Sequence, residues 1–189
     1  MRQDLIVVSP YDPRWPRDFE TERDRLECVL QPWLVRPLEH IGSTSIAGMP
    51  AKAIIDMLAV VGDIDCLHAA TSALAALGWI HAPEPGDDER RVGSFCTPSM
   101  AMRTHHLHVV EETSSAWRGT LAFRDYLRRR PGLAGAYAAL KRELAAQHGG
   151  DPNEREGYRS GKAQFIAEVT AIALGHWATA SRVGGGGES

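Results

Sequence analysis

The run Ile54-Ile55-Asp56-Met57-Leu58-Ala59-Val60-Val61 is apolar at every position but one. A segment this short, this apolar and this rich in β-branched residues predicts a central strand buried on both faces. The single exception then becomes informative. Burying the Asp56 carboxylate costs on the order of several kcal/mol, unless a cation or hydrogen bonds compensate it. The same eight residues therefore predict a layered sheet and mark a place in it that needs a partner.

The rest of the chain supplies the layers. Leu5-Ile-Val-Val8 is a short apolar run, and the closely spaced Pro10, Pro13 and Pro16 predict an irregular, extended segment after it. A helix is predicted over 17–30, with Phe19, Leu26 and Leu30 on one side. Pro32 and Pro37 precede a short strand over 38–41. Asp63 suits the N-cap of a helix carrying Ile64, Leu67, Ala70, Leu74 and Leu77, which Gly78 ends. Trp79-Ile80 begins another strand, 83–91 reads as an exposed loop, and 92–96 and 102–110 read as two more strands. Three helices come next. One spans 117–129 and is capped by Ser114 or Ser115. The second opens at Pro131, with Leu133, Tyr137, Leu140 and Leu144 on a stripe. After a loop over 149–153, the last covers 154–179 with Ile166, Val169, Ala173 and Trp177 inward. The strands thus concentrate in 1–112, and 113–180 is helical. This is an α+β layout in one domain, with a mixed sheet, flanking helices and a C-terminal helical segment. Residues 181–189 form a flexible Gly-rich tail.

Bulk properties exclude several classes. The 189 residues, 43% hydrophobic and 24% charged, suffice for one ordinary globular core. A net charge of −3 argues against a dedicated nucleic-acid binder, though not against a local basic patch. Trp15, Trp33, Trp79, Trp117 and Trp177 are scattered and read as core anchors, not as a base-stacking ladder. Cys28, Cys66 and Cys96 lack metal-site or disulfide spacing and are expected to be buried or partly buried thiols. The start has no signal-peptide pattern. No apolar run approaches the roughly 20 residues of a membrane span. A cytoplasmic protein with no membrane partner is expected, of unspecified oligomeric state.

Just before the central strand lies His40-Ile-Gly42-Ser43-Thr44-Ser45, then Lys52. Glycine and small hydroxyl residues let backbone N–H groups approach an anion closely. Gly42, Ser43, Thr44 and Lys52 are therefore candidate phosphate contacts, and Mg²⁺ bridging Asp56 to phosphate oxygens is a natural compensating cation. The bland alternative is a plain Ser-Thr turn beside an Asp bonded to backbone at a strand end.

A Gly-Ser pair followed after about ten residues by an Asp on a strand resembles the nucleotidyltransferase superfamily. More closely, the stretch from His40 to Asp56 resembles the GrpB family. So do Tyr11-Asp-Pro-Arg-Trp15, His106-Leu-His108-Val-Val, Phe123-Arg-Asp-Tyr-Leu-Arg128 and Tyr158-Arg-Ser-Gly-Lys162, in that order, covering roughly residues 7–175. The resemblance implies a nucleotidyltransferase-like fold, and a site taking ATP or another nucleoside triphosphate with Mg²⁺. It carries no settled substrate. The superfamily's second carboxylate would stand two residues after Asp56, where this chain has Leu58, and two-metal transfer wants two or three carboxylates. Ala53 replaces a common Pro, a minor departure.

The histidines are candidate substitutes. His106 and His108, two apart on a strand, face one side. With Asp56 they make a catalytic or metal-binding set suited to Mn²⁺, Zn²⁺ or Fe²⁺. Alternatively one is a general base or phosphate contact, or both are half-exposed sheet residues. His105 points the other way, and His40 orients the turn. Arg103 is placed to reach the cleft from its strand end. Arg124 and Arg128, four apart, either clamp an anion or face solvent. Lys162, near Arg159, is a further phosphate candidate. Arg128-Arg129-Arg130 reads as a solvated helix end. Three functions fit these residues. One is a nucleotidyltransferase-like protein that binds a phosphorylated small molecule with a divalent metal and transfers a nucleotidyl group. Another is a non-catalytic accessory or ligand-binding module, related to the domain fused to dephospho-coenzyme A kinase. The third is a repurposed metal-dependent enzyme using Asp56, His106 and His108.

Overall fold

The computed structural model describes residues 5–151 and 154–183, with side chains through residue 176; the tail and Trp177 lie outside the described side chains. Five strands, β1 (Glu39–Ile41), β2 (Ile55–Val61), β3 (Ile80–His81), β4 (Val92–Pro98) and β5 (Arg103–Glu111), form one sheet in the order β1-β2-β5-β4-β3. β2 and β5 run parallel at its centre, and the outer pairs are antiparallel. The fold is a mixed sheet with flanking helices, α+β as the segregation of strands and helices implied.

Alternation along the strands sorts side chains between two layers. Met57, Ala59, Val61, Phe95, Leu107 and Val109 face α1 (Trp15–Leu30) and α2 (Leu67–Ala76), packing with Phe19, Leu26, Leu30 and Leu74 into the main core. The opposite face carries Asp56, Leu58 and Val60 on β2, in register with His106, His108 and Val110 on β5. Over it lie α4 (Ala116–Arg128), α5 (Pro131–His148) and α7 (Ala163–Val183). Here the cores are smaller. Trp117 and Leu121 cover Leu58, Val60 and Val110, and Ile46, Leu127, Tyr137 and Val169 pack separately.

Several elements depart from the sequence expectation. α1 begins at Trp15, because Pro16 sits in its first turn, where a missing N–H costs nothing. Asp63 caps a 3-10 turn over Ile64–Cys66, accepting from the Asp65 N–H, and α2 continues from it. The segment 83–91 is no plain exposed loop. It contains α3 (Asp87–Arg90), whose Asp87 is buried and accepts from the Glu84 N–H at 2.7 Å. The final helix is broken into α6 (Arg155–Ser160) and α7 at Gly161-Lys162. A Cβ at Gly161 would run into Leu144, so the break brings α6 tightly against α5. Cys28 is exposed, contrary to expectation, while Cys96 is buried.

Candidate functional site

Between the second sheet face and the helices over it lies a cavity of about 770 Å³. Its floor is the Asp56 row of the sheet. Asp56 lies opposite His106 across β2 and β5, and Leu58 lies opposite His108. His106 Nδ1 is 3.6 Å and His108 Nε2 is 4.0 Å from Asp56 Oδ1. The two imidazoles lie 4.1 Å apart between centroids. One donor atom from each of the three falls within 4.8 Å of the others. Two atoms each about 2.1 Å from one ion lie at most about 4.2 Å apart, so a small contraction seats all three on a single cation. His106 Nδ1 is the ring nitrogen nearest Asp56, while its Nε2 is buried with no protein partner. The donor set fits an imidazole-and-carboxylate metal centre.

The electrostatics agree with that fit. Burial disfavours the Asp56 anion, but the adjacent His106 ring and the Lys52 ammonium outweigh it and hold the carboxyl below its usual range. Burial, with His106 beside it, pushes His108 down to about 4, leaving the neutral imidazole that a metal requires.

The turn before β2 is shaped by Asp56. Gly42 has φ +69°, and a Cβ there would overlap Asp56 Oδ2. Only glycine permits both the backbone angle and this approach. The turn is then tied from behind. Ser45 Oγ donates to the Gly42 carbonyl at 2.6 Å. Arg128 donates to the Ser45 carbonyl at 2.8 and 3.1 Å. The Thr44 hydroxyl is buried against the Ile54 carbonyl and the His40 ring, and His40 stacks on Phe19. Thr44 and His40 thus brace the turn, while Ser43 faces the cavity with Gly42.

The sharpest feature of the site was not singled out in the sequence. Lys141, on the buried side of α5, is 2% exposed, and its Nζ donates to Ser43 Oγ at 2.8 Å and to the Pro50 carbonyl at 2.6 Å. No carboxylate pairs with it among the described residues, and burial, with Lys162 and Arg142 nearby, lowers it to about 7. Lys162, over the Tyr158 ring at 4.3 Å, is lowered to about 8 by burial and by Lys52, against the pull of Asp56. Three lysines thus converge near one carboxylate. In the sequence, Lys141 sits one residue after Leu140 of the apolar stripe, and its place inside the turn of α5 was the one signal it gave.

Three arginines do something other than expected. Arg103 is buried and bonded to Glu84 at 2.7 Å, and it is Glu84, not Arg103, that reaches the cavity. Glu84 also holds Arg159 at 3.0 Å, joining the sheet end to α6. Arg124 is neither solvated nor a free anion clamp. It is buried, donating to Glu39 at 2.7 Å, the His40 carbonyl at 2.9 Å and Asp125 at 2.7 Å. Arg128, with its hold on Ser45, is not simply a solvated end. Both arginines fasten α4 to the strand and turn that carry the site.

Residues 5–171 match the family described as GrpB protein. The chain is 39% identical over 161 residues to UPF0157 protein YqkA of Bacillus subtilis, covering 85% of this chain but 45% of that protein, so it spans less than half of that relative's length. Its structure is similar to that of the conserved protein GrpB from Enterococcus faecalis, with a TM-score of 0.79, 31% identity, and coverage of 90% of this chain and 99% of the other. It also resembles Cid1 in complex with its short product ApU, with a TM-score of 0.50 and 14% identity over 70% of this chain and 41% of Cid1, a likeness of fold alone. No helix among the described residues is long and apolar enough to cross a membrane.

Proposed function

Because this chain belongs to the GrpB family and has a nucleotidyltransferase-like fold, we propose that it binds a phosphorylated small molecule at one divalent metal and transfers a nucleotidyl or phosphoryl group from it to a small acceptor. The observation that carries this reading is the convergence of Lys52, Lys141 and Lys162 on the cavity whose floor holds Asp56, His106 and His108. A buried lysine without a carboxylate is costly unless an anion arrives. Several lysines around Asp56, with the other cavity carboxylates Glu84 and Asp87 paired to arginines, suit a ligand carrying several negative charges. Phosphate and polyphosphate are such ligands.

The division of labour follows from position. Asp56, His106 and His108 would hold the ion, which supplies charge neutralisation at a phosphoryl oxygen. Lys141 and Lys162 meet other phosphate oxygens. The Ser43 hydroxyl, held by Lys141, is free to donate toward the ligand. Glu84 keeps Arg159 aimed along the same wall. Catalysis by such a site is mainly positioning and charge stabilisation. Two imidazoles favour Mn²⁺, Zn²⁺ or Fe²⁺ over Mg²⁺, and Leu58 stands where a second carboxylate would hold a second Mg²⁺.

The test is calorimetric titration of the full chain with pyrophosphate and with ATP, each with Mn²⁺, Zn²⁺ or Mg²⁺. Binding should require metal, be strongest with Mn²⁺ or Zn²⁺, and be lost in Asp56→Ala and in the His106→Ala, His108→Ala double variant. Binding indifferent to metal and to these changes would sink the proposal.

A further inference from the structure

The metal floor occupies one end of the cavity, and the rest of it has a different character. Along the same strands the floor continues from Asp56 and His106 to Leu58, Val110 and Val92. Its other walls there are Phe123 from α4 and Ile166 and Leu174 from α7. A volume of about 770 Å³ lies within the range of roughly 300–1,000 Å³ typical of sites for whole small molecules. A ligand filling it has a body as well as a phosphate head.

Most of the polar side chains in this half are already engaged, the Ser115 and Thr170 hydroxyls excepted. The Thr120 hydroxyl donates to the Ala116 carbonyl at 3.1 Å. The Trp117 N–H donates to the Glu112 carbonyl at 3.1 Å. Arg124 serves Glu39, Asp125 and the His40 carbonyl. The Trp117 ring carries the guanidinium groups of Arg36 at 4.3 Å and Arg118 at 4.6 Å, so a base would compete with them for it. A nucleobase placed here would bury its several ring nitrogens and exocyclic groups against partners that are mostly committed elsewhere, which is unfavourable. An apolar group loses nothing by the same placement.

We propose that the phosphorylated ligand of this site carries an apolar body, a short alkyl chain or unsubstituted aromatic ring, in place of a nucleobase, with Leu58 as a residue that determines this specificity. This specificity rests on the phosphate and metal reading of the same site and narrows the transferred group there to phosphoryl. It gives Leu58 a role. The position that would bear a metal-binding carboxylate bears instead the first apolar contact beyond the metal floor, so the substitution exchanges a second ion for a dry wall.

The experiment titrates the full chain, with Mn²⁺ present, with methyl, butyl, hexyl and phenyl phosphate, AMP and pyrophosphate. Affinity should rise from methyl to hexyl phosphate, by up to roughly fourfold per methylene, and hexyl phosphate should bind more tightly than AMP. Leu58→Asn should flatten the series while leaving methyl phosphate binding in place. Val92→Thr, a near-isosteric change at a half-buried wall position, should lower hexyl phosphate affinity a few-fold and serves if Leu58→Asn does not fold. A flat series, or AMP binding better than hexyl phosphate, overturns the inference while pyrophosphate binding leaves the metal and phosphate reading standing. Failure of pyrophosphate and every monoester, repeated with Zn²⁺ and Mg²⁺, overturns both.

Discussion

The two faces of the sheet are built from alternate residues of the same strands, yet they are organised oppositely. On the α1 and α2 side, Met57, Ala59, Phe95, Leu107 and Val109 are fully buried in one continuous apolar layer. On the α4, α5 and α7 side, the neighbouring residues Asp56, His106 and His108 open into a cavity, and the apolar contacts break into separate small clusters. One face gains its stability from water exclusion, about 25 cal/mol per Å² of apolar area. The other holds charged and polar groups near each other at the expense of packing. A single strand thus serves both stability and chemistry, because its period of two keeps the requirements of the two faces from colliding.

Substitutions that separate the faces test this contrast. The largest effect should come from Phe95→Ala, which empties a fully buried ring position on the packed face. It should lower unfolding free energy by about 3–5 kcal/mol, read from denaturant midpoints, while metal affinity of the folded fraction stays close to wild type. An equal loss of metal affinity would mean that the two faces are not separable.

Gly42→Ala should act the other way round. The strained backbone costs about 1–3 kcal/mol, and the added methyl group displaces the Asp56 carboxylate. Mn²⁺ affinity should therefore fall by at least tenfold while the protein remains folded by circular dichroism. Unchanged Mn²⁺ binding would show that Gly42 shapes only the turn.

Lys141→Met should have the smallest effect on the fold and a clear one on binding. The amine is held near 7 in the folded chain, well below its ordinary 10.5. Between those pH values the folded state binds fewer protons than the unfolded, so this group's contribution to stability rises with pH through that window. Below about pH 7 it is a buried cation in the fold, and replacing it by Met should leave stability unchanged or slightly raised. A phosphate ligand recharges the amine, so binding should take up protons near pH 7–8, and affinity should fall as pH rises past about 7 for Lys141 and about 8 for Lys162. Calorimetry in buffers of different ionisation enthalpy measures the uptake. Lys141→Met should reduce it and weaken pyrophosphate at least tenfold. Equal uptake in both proteins would remove Lys141 from the ligand's contacts.

Much of this was legible in local pattern. The apolar run around Asp56, the i and i+2 spacing of His106 and His108, and the Gly-Ser turn were visible because strand periodicity and turn chemistry act over a few residues. The side on which His105 falls, away from the metal floor and near Trp79, follows from the same period. Segments governed by distant partners were not legible. The stretch 83–91 reads as solvated from its composition, yet Asp87 is buried, and Glu84 ties Arg103 of the sheet to Arg159 of α6, 19 and 75 residues further along.

The sequence by itself determined the sheet and helix segregation, the carboxylate in the central strand, and the common side of His106 and His108, since each depends on periodicity within one element; the register of β2 against β5, which puts them on the face of Asp56, is tertiary. Tertiary structure decided which cations serve the site. Lys141 comes from 98 residues beyond Ser43, while Arg124, 85 residues beyond Glu39, is taken up by that carboxylate. Whether a basic side chain is solvated, structural or poised for a ligand depends on the counter-charges that packing brings within a few ångströms, and local pattern does not encode that distance.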